Sequence, residues 1–228
     1  MMNSETTNVN SPAVDFHNML APKWEKGYLS PAFSCRLAVI KELLPTASGR
    51  WLDAGCGTGA IARWMSSTYG CSVEGIDASA AMVAEASQRG TKAQVGSVEE
   101  LPYSTNSLDG IVCSSVLEYL DNPDLALREF QRVLRPEGLL LVSIPRMRTH
   151  ILMRLVHYLT LCKWFALCRY SKHSYGPQSF GALLTRHGFV NETNRYFSHL
   201  DLPLGMKLDL GGTLIMFRAR RKSGTLPQ

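Results

Sequence analysis

Apolar and polar positions along this chain alternate between two rhythms. Short apolar runs rich in Val, Ile and Leu recur between stretches in which apolar residues return every third or fourth position. The first rhythm belongs to strands buried on both faces, the second to helices with one covered side. Read in order, the pattern predicts a helix over 36–44 that stops at Pro45, a strand over 50–53 and a helix over 60–69. A strand over 72–76 then ends on Asp77, and a helix over 78–88 is stopped by Gly90. Strands over 93–95 and 108–113 follow, then a helix over 123–134 closed by "RPEG" and a strand over 139–144 ended by Pro145. A helix over 178–187 and two late strands, 189–196 and 213–219, complete the series. Such alternation predicts an α/β architecture, doubly wound, with a mainly parallel seven-stranded sheet and helices on both faces.

One segment breaks the rhythm. "ILMRLVHYLTLCKWFALCRY", Ile151 to Tyr170, approaches membrane-spanning length, but Arg154, His157 and Lys163 interrupt it. A charge at the centre of a span costs roughly 3 kcal/mol, which excludes a transmembrane helix. Arg154, His157, Thr160 and Lys163 recur every third residue, so at about 100° per residue they wind around the helix and leave no single clean apolar face. Such a helix is covered on several sides, by its own core, a hydrophobic substrate, a partner subunit or lipid head groups. The expectation is a helical lid after strand five, in an insert over 146–188, that covers an apolar substrate. Contact with a membrane face is then peripheral only.

Composition narrows the class. A chain of 228 residues, 45% hydrophobic, buries a sizeable core as one domain over 14–222, between a polar leader at 1–13, expected to be disordered, and a tail at 223–228. Six cysteines occur without a C-x-x-C pair and no signal-peptide pattern precedes them, so neither a disulfide framework nor a zinc site is expected, and the compartment expected is the cytoplasm. The net charge of +5 hides an asymmetry. Residues 1–144 carry 11 Lys+Arg against 16 Asp+Glu, and residues 145–228 carry 13 against 3. A basic final third suits nucleic acid, an anionic surface, an acidic substrate, or simple solvation.

The chemistry concentrates in "LDAGCGTG", Leu52 to Gly59, between the first strand and its helix. Open α/β sheets bind ligands at this place, and glycine there lets a ligand touch the backbone. The spacing G-x-G-x-G departs from the dinucleotide fingerprint, which Gly55, Gly57 and Ala60 meet only in its looser form. Asp53 argues further against a pyrophosphate, because a carboxylate beside the turn repels phosphate and attracts an ammonium or sulfonium. Asp77, at the tip of the second strand, suits a ribose diol with its charge-assisted hydrogen bonds. A nucleoside with a cationic, amino-acid-like tail answers both demands, and S-adenosylmethionine is such a molecule.

"WLDAGCGTGAIARWM", "VEGIDASAAMVAEA" and the run from "GSVEELPYS" to "LLLVSIP" together resemble the class I S-adenosylmethionine-dependent methyltransferases, Rossmann-like enzymes, in their small-molecule, ubiquinone-pathway branch. The resemblance covers about Arg50 to Pro145 within a cofactor core of about 36–145. It implies that Asp53, Gly55, Cys56 and Gly57 line the methionine part, that Asp77 and Ala78 take the ribose, and that Ser97 and Val98 meet adenine. Ser97 stands where the family commonly has an acid. It also implies that Ser114 passes beneath the cofactor and that Arg36 binds its carboxylate. Glu118 and Tyr119 occupy the family's "LEH" position, either as substrate contacts or as a helix start. Cys56 and Cys113 read as small core residues, and Glu99 and Glu100 as a solvated loop face.

Methyl transfer from a sulfonium needs alignment and desolvation above all. A base serves acceptors that hold their proton, and His173, His150 and Tyr119 are the candidates. The function expected is methylation of an O, N or C atom on a small hydrophobic metabolite, without a stable nucleic-acid complex. A nucleic-acid or protein methyltransferase, or a non-catalytic S-adenosylmethionine-binding protein, are the alternatives. Strand four ends in "CSSV" and lacks the Asn/Asp-Pro-Pro-aromatic turn of base-modifying enzymes.

Overall fold

The computed structural model describes residues 11–147, 151, 170–197 and 213–224. Four of its helices open on the same local device, a capping residue followed by proline at the first helical position. Ser11 accepts from the Val14 N–H at 3.3 Å to start α1 (Pro12–Trp24). Ser30 does the same for Phe33 at 3.2 Å to start α2 (Pro31–Leu43), after a 3-10 turn over Glu25–Leu29.

The sheet strands are β1 (Arg50–Ala54), β2 (Ser72–Asp77), β3 (Lys92–Val95), β4 (Leu108–Ser114) and β5 (Leu134–Pro145), followed by β6 (Phe189–Phe197) and β7 (Leu214–Arg221). Between them run α3 (Ala60–Tyr69), α4 (Ala80–Gln88), α5 (Pro123–Val133) and α6 (Pro177–Arg186). Strand order is β3-β2-β1-β4-β5-β7-β6, with β7 antiparallel to both neighbours and the other pairings parallel. The order reverses between β1 and β4, which opens a crevice at their carboxyl ends.

Alternate residues of the central strands feed two cores. Ile111 and Cys113 of β4 with Leu140 and Val142 of β5 face one side, where Phe130, Phe180 and Phe217 pack. Val112 and Leu141 face the other, against Trp51, Met65 and Met216. Both faces are thus sealed by helices, as continuous apolar strands require.

Several boundaries differ from the pattern-based expectation. α1 begins inside the segment assigned to a leader, because Ser11 caps it and Ala13 is buried. α2 starts five residues early, at its Ser–Pro cap. α4 starts at Ala80, since Ser79 is its cap, bonded to the Met82 N–H at 3.1 Å. β5 begins at Leu134 and runs through "RPEG", with Glu137 at φ 65° taking up the irregularity. The apolar segment 151–170, but for its end residues, and with it the expected lid, lies outside the described residues. Among the described residues no helix is long and apolar enough to cross a membrane.

Candidate functional site

The crevice holds a cavity of about 250 Å³. Its floor is the loop after β1, where Gly55, Gly57 and Gly59 take φ of 76°, 52° and 80°. At Gly55 a side chain is impossible for a second reason: a Cβ would lie 2.2 Å from Val116 Cγ2. The peptide N–H groups of Gly55 and Cys56 donate to the Ile76 carbonyl at 2.8 and 3.0 Å, which ties the loop to β2.

Asp53 is 1% exposed, and its Oδ2 accepts from the Ala62 N–H at 3.1 Å. The carboxylate therefore occupies the first turn of α3, the donor site that a dinucleotide pyrophosphate would need. Burial pushes its pKa up to about 7, against the pull of the Ala62 hydrogen bond, and the nearby Asp77 charge adds to the rise. Asp77 braces two loops at once: Oδ2 accepts from Gly57 N–H at 2.8 Å and Oδ1 from Ser79 N–H at 2.9 Å. Burial raises its pKa as well.

Ala78, Ser97 and Val98 line the same cavity, as do Ser114 and Cys56. Burial drives the Cys56 thiol far above its usual range, which leaves a neutral wall and no nucleophile. Ser114 Oγ is 3.0 Å from Ser143 Oγ, and Ser115 sits at φ 59°, a strained turn at the end of β4. Arg36 reaches across from α2 to Ser115 Oγ at 3.4 Å, while its Nε is enclosed without a partner. Burial lowers the Arg36 pKa, with Tyr28 and then Glu118 partly opposing it.

Glu118 and Tyr119 also line the cavity. Glu118 is 3% exposed with Oε2 unpartnered, and burial lifts it to about 8. Both acids favour their neutral forms in the fold, so the stability each contributes is complete below the ordinary carboxylate range. It is lost as pH rises through about 7 for Asp53 and about 8 for Glu118. Thermal melts should therefore show a transition that falls by several degrees between pH 5.5 and 8.5, at roughly 2–4 °C per kcal/mol for a chain of this size. In Glu118→Gln, shaped like the neutral acid, the fall above pH 7 should flatten; an unchanged slope would contradict the assignment.

Two sequence-derived expectations need correction. His173 is not part of the cavity wall: its Nε2 bonds the Leu120 carbonyl at 3.0 Å and its N–H the Glu118 carbonyl at 3.2 Å, so it fastens chain to chain. Glu99 is not a freely solvated acid, since it accepts from the Asn122 N–H at 3.3 Å at the start of α5. His150 lies outside the described residues. No cluster of metal-ligating side chains exists among the described residues.

What the sequence reading missed is the roof. Ser11, Ala13, Val14 and His17 from α1, with Trp24, Tyr28 and Phe33 behind them, line the cavity. Glu25 clamps this strap down, accepting from Thr58 Oγ1 at 2.6 Å and pairing with Arg63 at 2.7 Å and Arg89 at 3.4 Å. Tyr28 is enclosed enough that its phenol rises to about 12, burial outweighing its hydrogen bonds to Thr58 and Trp24. The Ser–Pro caps at Ser11 and Ser30 were the available signal.

Residues 52–142 match the methyltransferase domain family. The chain is 31% identical over 158 residues to a ubiquinone biosynthesis O-methyltransferase of Xanthomonas oryzae pv. oryzae, covering 62% of this chain and 66% of that protein. It is 34% identical over 114 residues to a ubiquinone/menaquinone biosynthesis C-methyltransferase of Syntrophotalea carbinolica, covering 47% and 48%. The chain thus spans about half to two thirds of the length of these curated relatives. A solved S-adenosylmethionine-dependent methyltransferase from Thermotoga maritima shares the fold, with a TM-score of 0.71 at 22% identity over 92% of this chain and 100% of that one.

Proposed function

We propose, for a chain that belongs to the class I S-adenosylmethionine-dependent methyltransferases, the transfer of a methyl group from S-adenosylmethionine to an O, N or C atom of a small, largely apolar metabolite. The observation that carries this reading is the convergence of Asp53, Asp77, the glycine loop and Arg36 on one cavity whose remaining wall is mostly apolar.

The residues suit the cofactor point by point. The enclosed, unpartnered Arg36 Nε belongs to a guanidinium fork matched to an α-carboxylate. Asp53 and Asp77 favour a cation at the loop, and each oxygen of Asp77 keeps a lone pair for a ribose hydroxyl after its backbone bond. The bound cofactor supplies a methyl group already activated on its sulfonium.

Positioning and dryness remain for the protein. The α1 strap and its Trp24 and Tyr28 exclude water, and the turn at Ser115 holds the acceptor side rigid. Val116, Tyr119, Pro145 and Leu214 form an apolar wall on that side, which favours a hydrophobic acceptor over a polynucleotide. The ubiquinone-pathway names of two relatives support the same class.

The test is transfer of tritiated methyl from S-adenosylmethionine into hydrophobic metabolite extract, total RNA and total protein offered in parallel. Label in the organic-soluble fraction alone is the expected result. Label in RNA or protein, or uptake of the cofactor without transfer to any fraction, overturns the reading.

A further inference from the structure

His17 lies on α1, in the stretch that the sequence reading left without a role. Its Nδ1 is 2.6 Å from the Ala13 carbonyl oxygen, which can only accept, so Nδ1 carries the proton. In the neutral ring Nε2 is then an acceptor. The imidazole is held edge-on by Tyr119, with centroids 5.5 Å apart at 77°, and against Trp24 at 5.4 Å and 59°.

Both flanks of this histidine are anchored to the groups that hold Asp77. On one side Asn18 Oδ1 accepts from Ser79 Oγ at 2.6 Å and from Ala81 N–H at 3.2 Å, and Ser79 N–H donates to Asp77. On the other, Trp24 stands 3.6 Å from where a side chain on Gly57 would begin, and Gly57 N–H donates to the second Asp77 oxygen. His17 and Asp77 line the same cavity.

We propose that His17 is the second arm of the ribose site, a cofactor-positioning residue whose Nε2 accepts from one hydroxyl of the diol that Asp77 holds from below. This rests on the S-adenosylmethionine reading. An acceptor above and a carboxylate beneath would fix the sugar and, through it, the direction of the sulfonium methyl.

A chemical double-mutant cycle tests it. Binding of S-adenosylhomocysteine and of its 2′-deoxy and 3′-deoxy analogues is measured by calorimetry on the natural protein and on His17→Phe, which keeps an aromatic ring and loses the acceptor. Loss of one hydroxyl should cost at least about five-fold more in the natural protein than in His17→Phe, the size of one net hydrogen bond. His17→Gln, whose Oε1 can accept, should recover part of that difference and serves also if the Phe variant folds poorly. Equal costs in the natural protein and both variants would make His17 purely structural and overturn the proposal. Failure of the natural protein to bind S-adenosylhomocysteine at all would instead overturn the cofactor reading, and this one with it.

Discussion

Asp77→Asn is expected to weaken S-adenosylhomocysteine binding by roughly 10²- to 10³-fold, the cost of truncating one side of a buried, charge-assisted contact. The carboxylate accepts from Gly57 and Ser79 N–H groups on opposite oxygens. An amide can satisfy one of them with its oxygen and must present its own N–H to the other. The substitution therefore removes the carboxylate charge offered to the ribose and sets two donors face to face at the same point. Melting of the free protein should fall as well, because the facing donors are present with or without ligand. Ligand-induced stabilisation, which follows the ratio of ligand concentration to Kd, should collapse. Affinity within two-fold of the natural protein would remove Asp77 from the site.

Gly55→Ala should be comparably damaging, with cofactor binding reduced at least about 100-fold and the melting point lowered. Two costs add. A left-handed backbone at φ 76° costs an alanine about 1–2 kcal/mol, and the new Cβ would lie 2.2 Å from Val116 Cγ2. Either the loop bonded to Ile76 or the segment carrying Val116 must shift. The second cost can be separated from the first. Val116→Ala removes both methyls and leaves Val116 Cβ, 3.2 Å away, as the nearest atom. The double variant should regain about ten-fold in affinity over Gly55→Ala and retain the backbone penalty. No recovery would show that φ alone controls the loop; full binding by Gly55→Ala would show that the loop lies off the cofactor path.

Legibility in the sequence followed the range of the interactions. α3 was readable to the residue, since its glycine turn at one end and Gly70 at the other are local signals. Asp53 and Asp77 were readable because both sit at strand tips and their charge restricts what can approach. The start of β5 was not readable. Proline and glycine in "RPEG" read as a stop, whereas pairing of Leu134 with Leu108 holds the strand through it. His173 looked like a base because it follows an apolar helix, and its commitment to the Leu120 carbonyl depends on a residue 53 positions earlier.

By itself the sequence determined the alternation of strand and helix, the glycine turn, the two acids and therefore the kind of ligand, because each depends on residues within a few positions of one another. Only the tertiary structure decided that the first helix roofs the cavity, that His17 and no later histidine among the described residues lines it with Asp77, and that Glu118 is buried there. Those facts depend on the path of the chain across the sheet, which brings residue 17 beside residue 119 and residue 25 beside residues 63 and 89. A periodicity cannot encode such meetings, since they exist only once the sheet has ordered its strands.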